Sequence, residues 1–466
     1  MALKDIDTFV FCMLENRSFD HMLGYLSLDD APRKLPVDGL RSDPAWQASW
    51  RNRGDGVPFP LKPLVLADAI DDPPHGRERI KLQIETPAEG HPHMGGFVQA
   101  YINSRRESGR PIPTDPGAVM GYYKADSVGT YDFLARNYCV CDRWFAPVPL
   151  GTQANKLMAM AGESKVLDNE TGLPNQQLVY NWLKRNKVKW RVYQSGKFFP
   201  FFMMMEIWTA PIAASLLSGR GRFRRYTRFK KDWTTAKEMP SVIFVEPDYT
   251  DSFGSTANDD HPPTGIGGGQ DLVRDLYETL TSNTERWART LLIVTYDEHG
   301  GFFDHVPPLP VTTRIRDRLL PTTGPRVPAL LVSPHVGRGT VFSEKLDHTA
   351  FLQLLAERFT PGQGYSLAVN ERLAQNVLGR LSNALKGTPR TGKPPKMGEE
   401  LEFKAVQPQG PAGASNTPMG VAFFEAAQRL EREHPELVDA EMKAALAAQP
   451  PPEPRGGDHI PDAPVR

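Results

Sequence analysis

An α/β fold, with a mostly parallel sheet flanked by helices and with loop-rich insertions, follows from three features of the sequence. Two apolar runs of strand length, 8–14 and 290–295, each break off at a cluster of acids, amides and imidazoles. Strands that read as near-continuous apolar runs belong to parallel sheets covered on both faces, and such sheets bind ligands at the C-terminal ends of their strands. The chain is also long enough, at 466 residues, to bury a large core. A site shared by an early and a late strand requires one catalytic domain that spans both, here residues 1–385.

The first strand is Thr8-Phe9-Val10-Phe11-Cys12-Met13-Leu14, and it stops at Glu15-Asn16-Arg17-Ser18-Phe19-Asp20-His21. Ser18 or Asp20 suits the cap of a following helix. A second helix is expected over 153–161, with Thr152 at its N-cap position. The run Phe198-Phe199-Pro200-Phe201-Phe202-Met203-Met204-Met205 is more apolar than a loop should be. Burial or a subunit contact is the simpler reading of it, and a lipid surface or hydrophobic substrate pocket the alternative. Residues 220–231 carry seven basic side chains among Phe223, Tyr226 and Phe229, the pattern of a solvated basic face before that of a lipid-headgroup or nucleic-acid contact. Residues 327–333 form a further buried strand and 349–358 a helix. A Pro/Gly-rich linker is expected over 386–417, a helix over 418–449 with its apolar stripe (Val421, Phe424, Ala427, Leu430, Leu437) docked on the domain or on a partner subunit, and a disordered tail over 450–466.

The chemistry concentrates in Tyr296-Asp297-Glu298-His299-Gly300-Gly301-Phe302-Phe303-Asp304-His305-Val306. Adjacent carboxylates at a strand end repel each other unless a cation lies between them, so a hard divalent metal on oxygen ligands is the economical explanation, against a loop ion-pair network as the alternative. In a parallel sheet Glu15 and Asn16 open on the same edge as Asp297 and Glu298, which makes a four-ligand set. Oxygen donors favour calcium or magnesium over manganese or zinc.

These two segments resemble the signatures of the phosphoesterase family that holds bacterial and plant phospholipases C and a group of acid phosphatases, within the alkaline-phosphatase-like superfamily. Met120-Gly121-Tyr122-Tyr123, residues 138–149, Asp259-Asp260-His261-Pro262-Pro263 and Asp347-His348-Thr349 match in order. The resemblance implies an alkaline-phosphatase-like sheet and a Thr nucleophile at Thr152, in Pro149-Leu150-Gly151-Thr152-Gln153-Ala154-Asn155-Lys156. Ala154 and Lys156 stand there in place of the family's usual Pro and Arg. It further implies attack on phosphorus through a phospho-threonine, with His75 and His261 as general acid/base or phosphate contacts. Asn155, Lys156, Asp260 and Arg17 are expected at the phosphate, and His299, Asp304, His305 and His348 as partners behind the metal ligands. The expected substrate is a phosphate ester, small or lipid, of phospholipase C type, with a broad phosphomonoesterase or a hydrolase or transferase of another ester (sulfate, phosphonate) as alternatives.

Composition bounds the rest. Lys plus Arg and Asp plus Glu are equal at 55 each, which argues against a nucleic-acid partner. No apolar run reaches 18 residues, so no transmembrane helix is expected, although peripheral membrane contact and self-association stay open. The chain enters its first strand without a basic-then-apolar leader, which reads as cytoplasmic as written, or as secreted or periplasmic if a leader was removed. Cys12, Cys139 and Cys141 read as reduced core thiols. His91, His93, His335 and His434 receive no role, because an isolated imidazole in a polar loop is usually solvated.

Overall fold

The computed structural model describes residues 2–66, 70–196, 200–252, 257–398 and 417–448. The two apolar runs lie side by side in it. Strands β1 (Thr8–Leu14), β2 (Cys139–Cys141), β3 (Trp190–Gln194), β4 (Phe223–Arg225), β5 (Val242–Glu246), β6 (Thr290–Tyr296), β7 (Ala329–Val332) and β8 (Thr340–Phe342) form an eight-stranded sheet in the order β4-β3-β5-β1-β6-β7-β2-β8. β1 pairs in parallel with β5 on one side and β6 on the other, with Leu14 opposite Tyr296. The residues after both strands therefore emerge at one level of one edge. Only β7 runs against its neighbours, so the sheet is mostly parallel, as expected.

Both faces are covered, which is why every residue of β1 and β6 is buried. The helices used below are α1 (Phe19–Leu23), α2 (Gly129–Asn137), α3 (Thr152–Ala161), α4 (Gly267–Ser282), α5 (Thr349–Phe359), α6 (Pro418–Glu433) and α7 (Ala440–Ala447). On one face Phe11 stacks on Phe351 of α5 with ring centroids 4.5 Å apart, and α3 packs on α5. On the other, Tyr131 of α2 meets Tyr296 edge-on, and α4 packs on α2. Alternate residues of a strand point to opposite faces, so one apolar run supplies both layers.

The apolar loop is buried where it is described: Phe201, Phe202, Met203, Met204 and Met205 are each at most 3% exposed, and Phe198 and Phe199 lie outside the described residues. Much of the basic stretch is partnered, Arg224 by Asp232 at 2.6 Å and Arg228 by the Gly219 carbonyl, while Arg222 lies over the Trp190 ring. The three cysteines are free and buried.

The C-terminal helix departs from expectation. A single helix was expected through 418–449, but α6 ends at Glu433 and α7 begins at Ala440. Pro435 has no N–H to offer the carbonyl one turn back, so the helix breaks before it. α6 buries Met419, Phe423, Phe424, Ala427 and Leu430 against the turn Phe201–Met204, each large side chain contributing roughly 1.5–3 kcal/mol over exposure. Of the expected linker, 386–398 lie along the domain through bonds such as Tyr277 Oη to the Pro395 carbonyl at 2.6 Å. Residues 399–416 and the expected tail lie outside the described residues. Among the described residues no helix is long and apolar enough to cross a membrane.

Candidate active site

The sheet edge brings Glu15, Asn16, Asp297 and Glu298 together as the strand ends predict. The Asn16 and Glu298 N–H groups both donate to Asp297 Oδ1, at 3.0 and 2.7 Å, and the Arg17 N–H donates to the Glu298 carbonyl at 3.1 Å. Asn16 adopts φ 61°, a left-handed conformation that Asn tolerates better than most residues. Gly300 has φ 64°, and a Cβ there would lie 2.0 Å from the Asn16 carbonyl oxygen. Only glycine lets the two loops close, and its N–H then donates to Glu298 Oε2 at 2.9 Å.

Thr152 joins this cluster from α3. It is the first residue of the helix, with Gly151 as the cap, so the expected N-cap position is off by one. Its Oγ1 donates to Asn16 Oδ1 at 3.4 Å, and both residues are fully buried. Because the hydroxyl sits at a helix start, it shares the positive end of the helix dipole, which favours an anion beside it.

The electrostatics are those of a centre short of positive charge. Among the described residues, Asp297 Oδ2 and Glu298 Oε1 are buried without a hydrogen-bond donor, and Glu15 Oε1 has only the Lys156 ammonium at 3.0 Å. A buried polar atom left unpaired costs roughly 1–3 kcal/mol, more when charged. Burial above all, with Asp297 and Asp259 adding to it, pushes Glu15 up to about 8 against the pull of Lys156. Burial likewise raises Asp297. Burial would raise Glu298 too, but the His75 and His299 imidazoles hold it below its usual value. Three carboxylates and an amide oxygen with unused lone pairs, with a hydroxyl beside them, fit a hard divalent cation.

His75 and His261 stand over the same edge. Asn16 Nδ2 lies 3.3 Å from His75 Nε2, and the two imidazole centroids are 5.8 Å apart. Each ring faces a backbone carbonyl with Nδ1, His75 that of Pro73 at 2.9 Å and His261 that of Pro262 at 2.5 Å. Burial disfavours a charged His261, yet Asp72, Asp251, Glu15 and Asp259 overcome it and carry it up to about 9. Asp72 was not singled out from the sequence, although an acid three residues before His75 was a visible signal.

Other expected roles change. Asn155 is engaged by its own turn: its Oδ1 accepts the Val148 N–H and its Nδ2 donates to the Leu150 carbonyl, at 3.1 and 2.6 Å, which shapes the turn that carries Thr152. Arg17 is consumed by the Asp260 carbonyl, His21 and the Thr264 carbonyl at 2.8–3.1 Å. Asp260 Oδ2 accepts the Tyr131 and Tyr296 hydroxyls at 2.7 and 2.6 Å, so it braces the loop of His261. Lys156 turns its ammonium to Glu15 and two aromatic rings instead of an open anion position.

The expected partners divide. His299 stands behind Glu298, with Nδ1 3.0 Å from Glu298 Oε2 and Nε2 2.8 Å from Gln83 Oε1; Gln83 was not visible as a partner in the sequence. His348 Nε2 lies 2.7 Å from the Asp297 carbonyl, and its Nδ1 accepts the Trp144 indole N–H at 2.9 Å. Burial lowers this imidazole to about 4. Asp304 and His305 instead belong to a separate buried ion network: Arg326 binds Asp304 and Asp20, and His305 bridges Asp20 and Asp38 at 2.6 and 3.2 Å. They brace the fold and contact none of the four expected ligands.

A mostly parallel α/β sheet with a buried acid, amide and hydroxyl centre at the C-terminal ends of its strands defines the class as that of the α/β proteins that bind ligands at this edge. The Phosphoesterase family model matches residues 6–360. The chain belongs to the Phosphoesterase family, and with it to the enzymes that act on phosphoric ester bonds. It is 29% identical over 452 residues to non-specific phospholipase C6 of Arabidopsis thaliana, covering 88% of this chain and 78% of that one. To non-specific phospholipase C1 of the same plant it is 32% identical, covering 73% and 62%, and to phospholipase C A of Mycobacterium tuberculosis 27%, covering 77% and 73%. The chain thus spans between 62% and 78% of the length of these relatives.

Proposed function

We propose that the protein is a metal-dependent phosphoric ester hydrolase of phospholipase C type, with Thr152 as nucleophile. One observation carries this reading: a lone hydroxyl reaches the amide of Asn16 beside buried carboxylate oxygens that lack donors. Glu15, Asn16, Asp297 and Glu298 would hold the cation. When bound, it would offset the negative charge that gathers on the phosphoryl oxygens.

The chain's own residues supply the remaining chemistry. Thr152 Oγ1, whose proton a cation held beside it would let pass to water, forms a bond to phosphorus as the bond to the leaving alcohol breaks, which yields a phospho-threonine. His261, kept cationic by the surrounding acids, gives its proton to the leaving oxygen. His75 holds the Asn16 amide, and hence the ligand edge, in place. In the second step water displaces Thr152 from phosphorus, His261, now neutral, accepts a proton from the attacking water, and the departing Thr152 oxygen takes its proton back from solvent water. Acid quenching of enzyme mixed with p-nitrophenyl phosphate, followed by peptide mass analysis, should find phosphate on Thr152; phosphate on another residue, or none during a measured burst of p-nitrophenol, would remove Thr152 from the role.

Burial of Phe201, Phe202 and the three methionines withdraws the lipid-facing argument for a diester substrate. That observation supports a second reading, a phosphomonoesterase using the same residues.

A further inference from the structure

Behind the proposed cation site, the chain's own ammonium sits between aromatic rings. Lys156 follows Thr152 by one turn on the same face of α3. Its Nζ lies 3.0 Å from Glu15 Oε1, 4.9 Å from the ring centroid of Tyr249 and 5.2 Å from that of Phe201, with the side chain only 4% exposed. Both rings are fixed. The Phe201 N–H and the Tyr249 hydroxyl donate to Glu246 Oε2 at 2.7 and 3.1 Å, and Phe423 of α6 stacks behind Tyr249. Phe11, Met160, Phe202 and Phe244 line the same cavity, whose volume of about 30 Å³ suffices for water but not for an organic cation.

Two ring faces and a carboxylate around one positive charge form the arrangement by which proteins hold quaternary ammonium groups. Here Lys156 occupies it and leaves no room for a second cation. Because Glu15 belongs both to this cage and to the proposed cation site, the cage abuts the phosphate position. We infer that Lys156 determines specificity: it fills from within an aromatic cage that would otherwise receive an ammonium headgroup, and it directs the site toward phosphate esters whose substituent carries no cation. The consequence for substrate rests on the phosphoesterase reading, whereas the cage and its occupant can be tested without turnover.

The binding test compares choline with its neutral isostere 3,3-dimethylbutan-1-ol by thermal shift on wild-type protein and on Lys156→Ala. Truncation should open the cage, so that choline raises the melting temperature of the variant and binds it at least about tenfold more tightly than the isostere, while neither moves the wild type. A choline-dependent shift in wild type, or a folded variant that treats the two alike, would overturn the inference. Should the variant not fold, wild-type kcat/KM on p-nitrophenyl phosphorylcholine and on the p-nitrophenyl ester of the neutral isostere decides. A ratio near or below one is expected, and a tenfold preference for the choline ester would overturn it. Inertness on both esters in every metal would count against the phosphoesterase reading alone, and a choline-dependent rise in the wild-type melting temperature would still overturn the inference.

Discussion

Thr152, Asn16, Asp297 and Glu298 show how little side-chain chemistry the site needs once the backbone has placed it. Thr152→Ala should abolish turnover and leave the circular dichroism spectrum and metal content unchanged, because the hydroxyl makes a single long bond to Asn16; residual activity above a small fraction of wild type would point to another nucleophile. Asp297→Asn removes a charge from the proposed ligand set and should weaken divalent-metal binding by at least about tenfold in calorimetry, and an unchanged affinity would count against the four-ligand set. The convergence of the proposed ligands was legible because they follow apolar strands at matching ends. Arg17, Asn155 and Asp260 were not, since a motif position does not reveal which backbone carbonyls or hydroxyls will consume a side chain's hydrogen bonds. Their partners, such as Thr264 and Tyr131, come from loops and helices with no adjacency in sequence.

The β1 and β6 ends and the glycine loop between Glu298 and Phe302 form the unit that positions the proposed ligands. Gly300→Ala adds a Cβ at 2.0 Å from the Asn16 carbonyl in a left-handed backbone, so the two loops must part. The expected outcome is a loss of stability of about 1–3 kcal/mol in urea unfolding, together with weaker metal binding; a neutral substitution would show that the loop contact does not set the ligand geometry. Strands β1 and β6 and helix α5 could be read from apolar runs and spacing, and the parallel register placed their ends correctly. The break between α6 and α7 could have been read as well, since Pro435 interrupts the stripe, but the apolar spacing across it hid the stop.

Across the whole molecule, one buried ion network ties the region after α1 to the core. His305 bridges Asp20 on α1 and Asp38 on the following loop, with Arg326, Asp304, Arg143 and Asp142 facing the same cluster. Burial disfavours the imidazolium, yet Asp20 and Asp38 raise it to about 9 from 6.5. A group raised on folding contributes stability that is complete below its unfolded value and is lost as pH rises through the folded one. The wild-type advantage over His305→Gln should therefore be on the order of 3 kcal/mol at pH 6 and shrink between pH 6.5 and 9; an advantage that grows with pH would contradict the ion-pair account. The sequence suggested Asp304 and His305 as partners behind the proposed metal ligands because they share a motif with Asp297. The chain turns away after Gly301, and only the fold shows that two clusters grow from one motif.

The most direct test of the central claim is hydrolysis by metal-stripped protein of p-nitrophenyl phosphate and p-nitrophenyl phosphorylcholine, with calcium, magnesium, manganese or zinc restored one at a time. The account predicts no turnover without metal, and turnover restored by at least one cation in wild type but strongly reduced in Asp297→Asn. Full activity in the stripped protein, or inertness toward both esters with every cation, would contradict it.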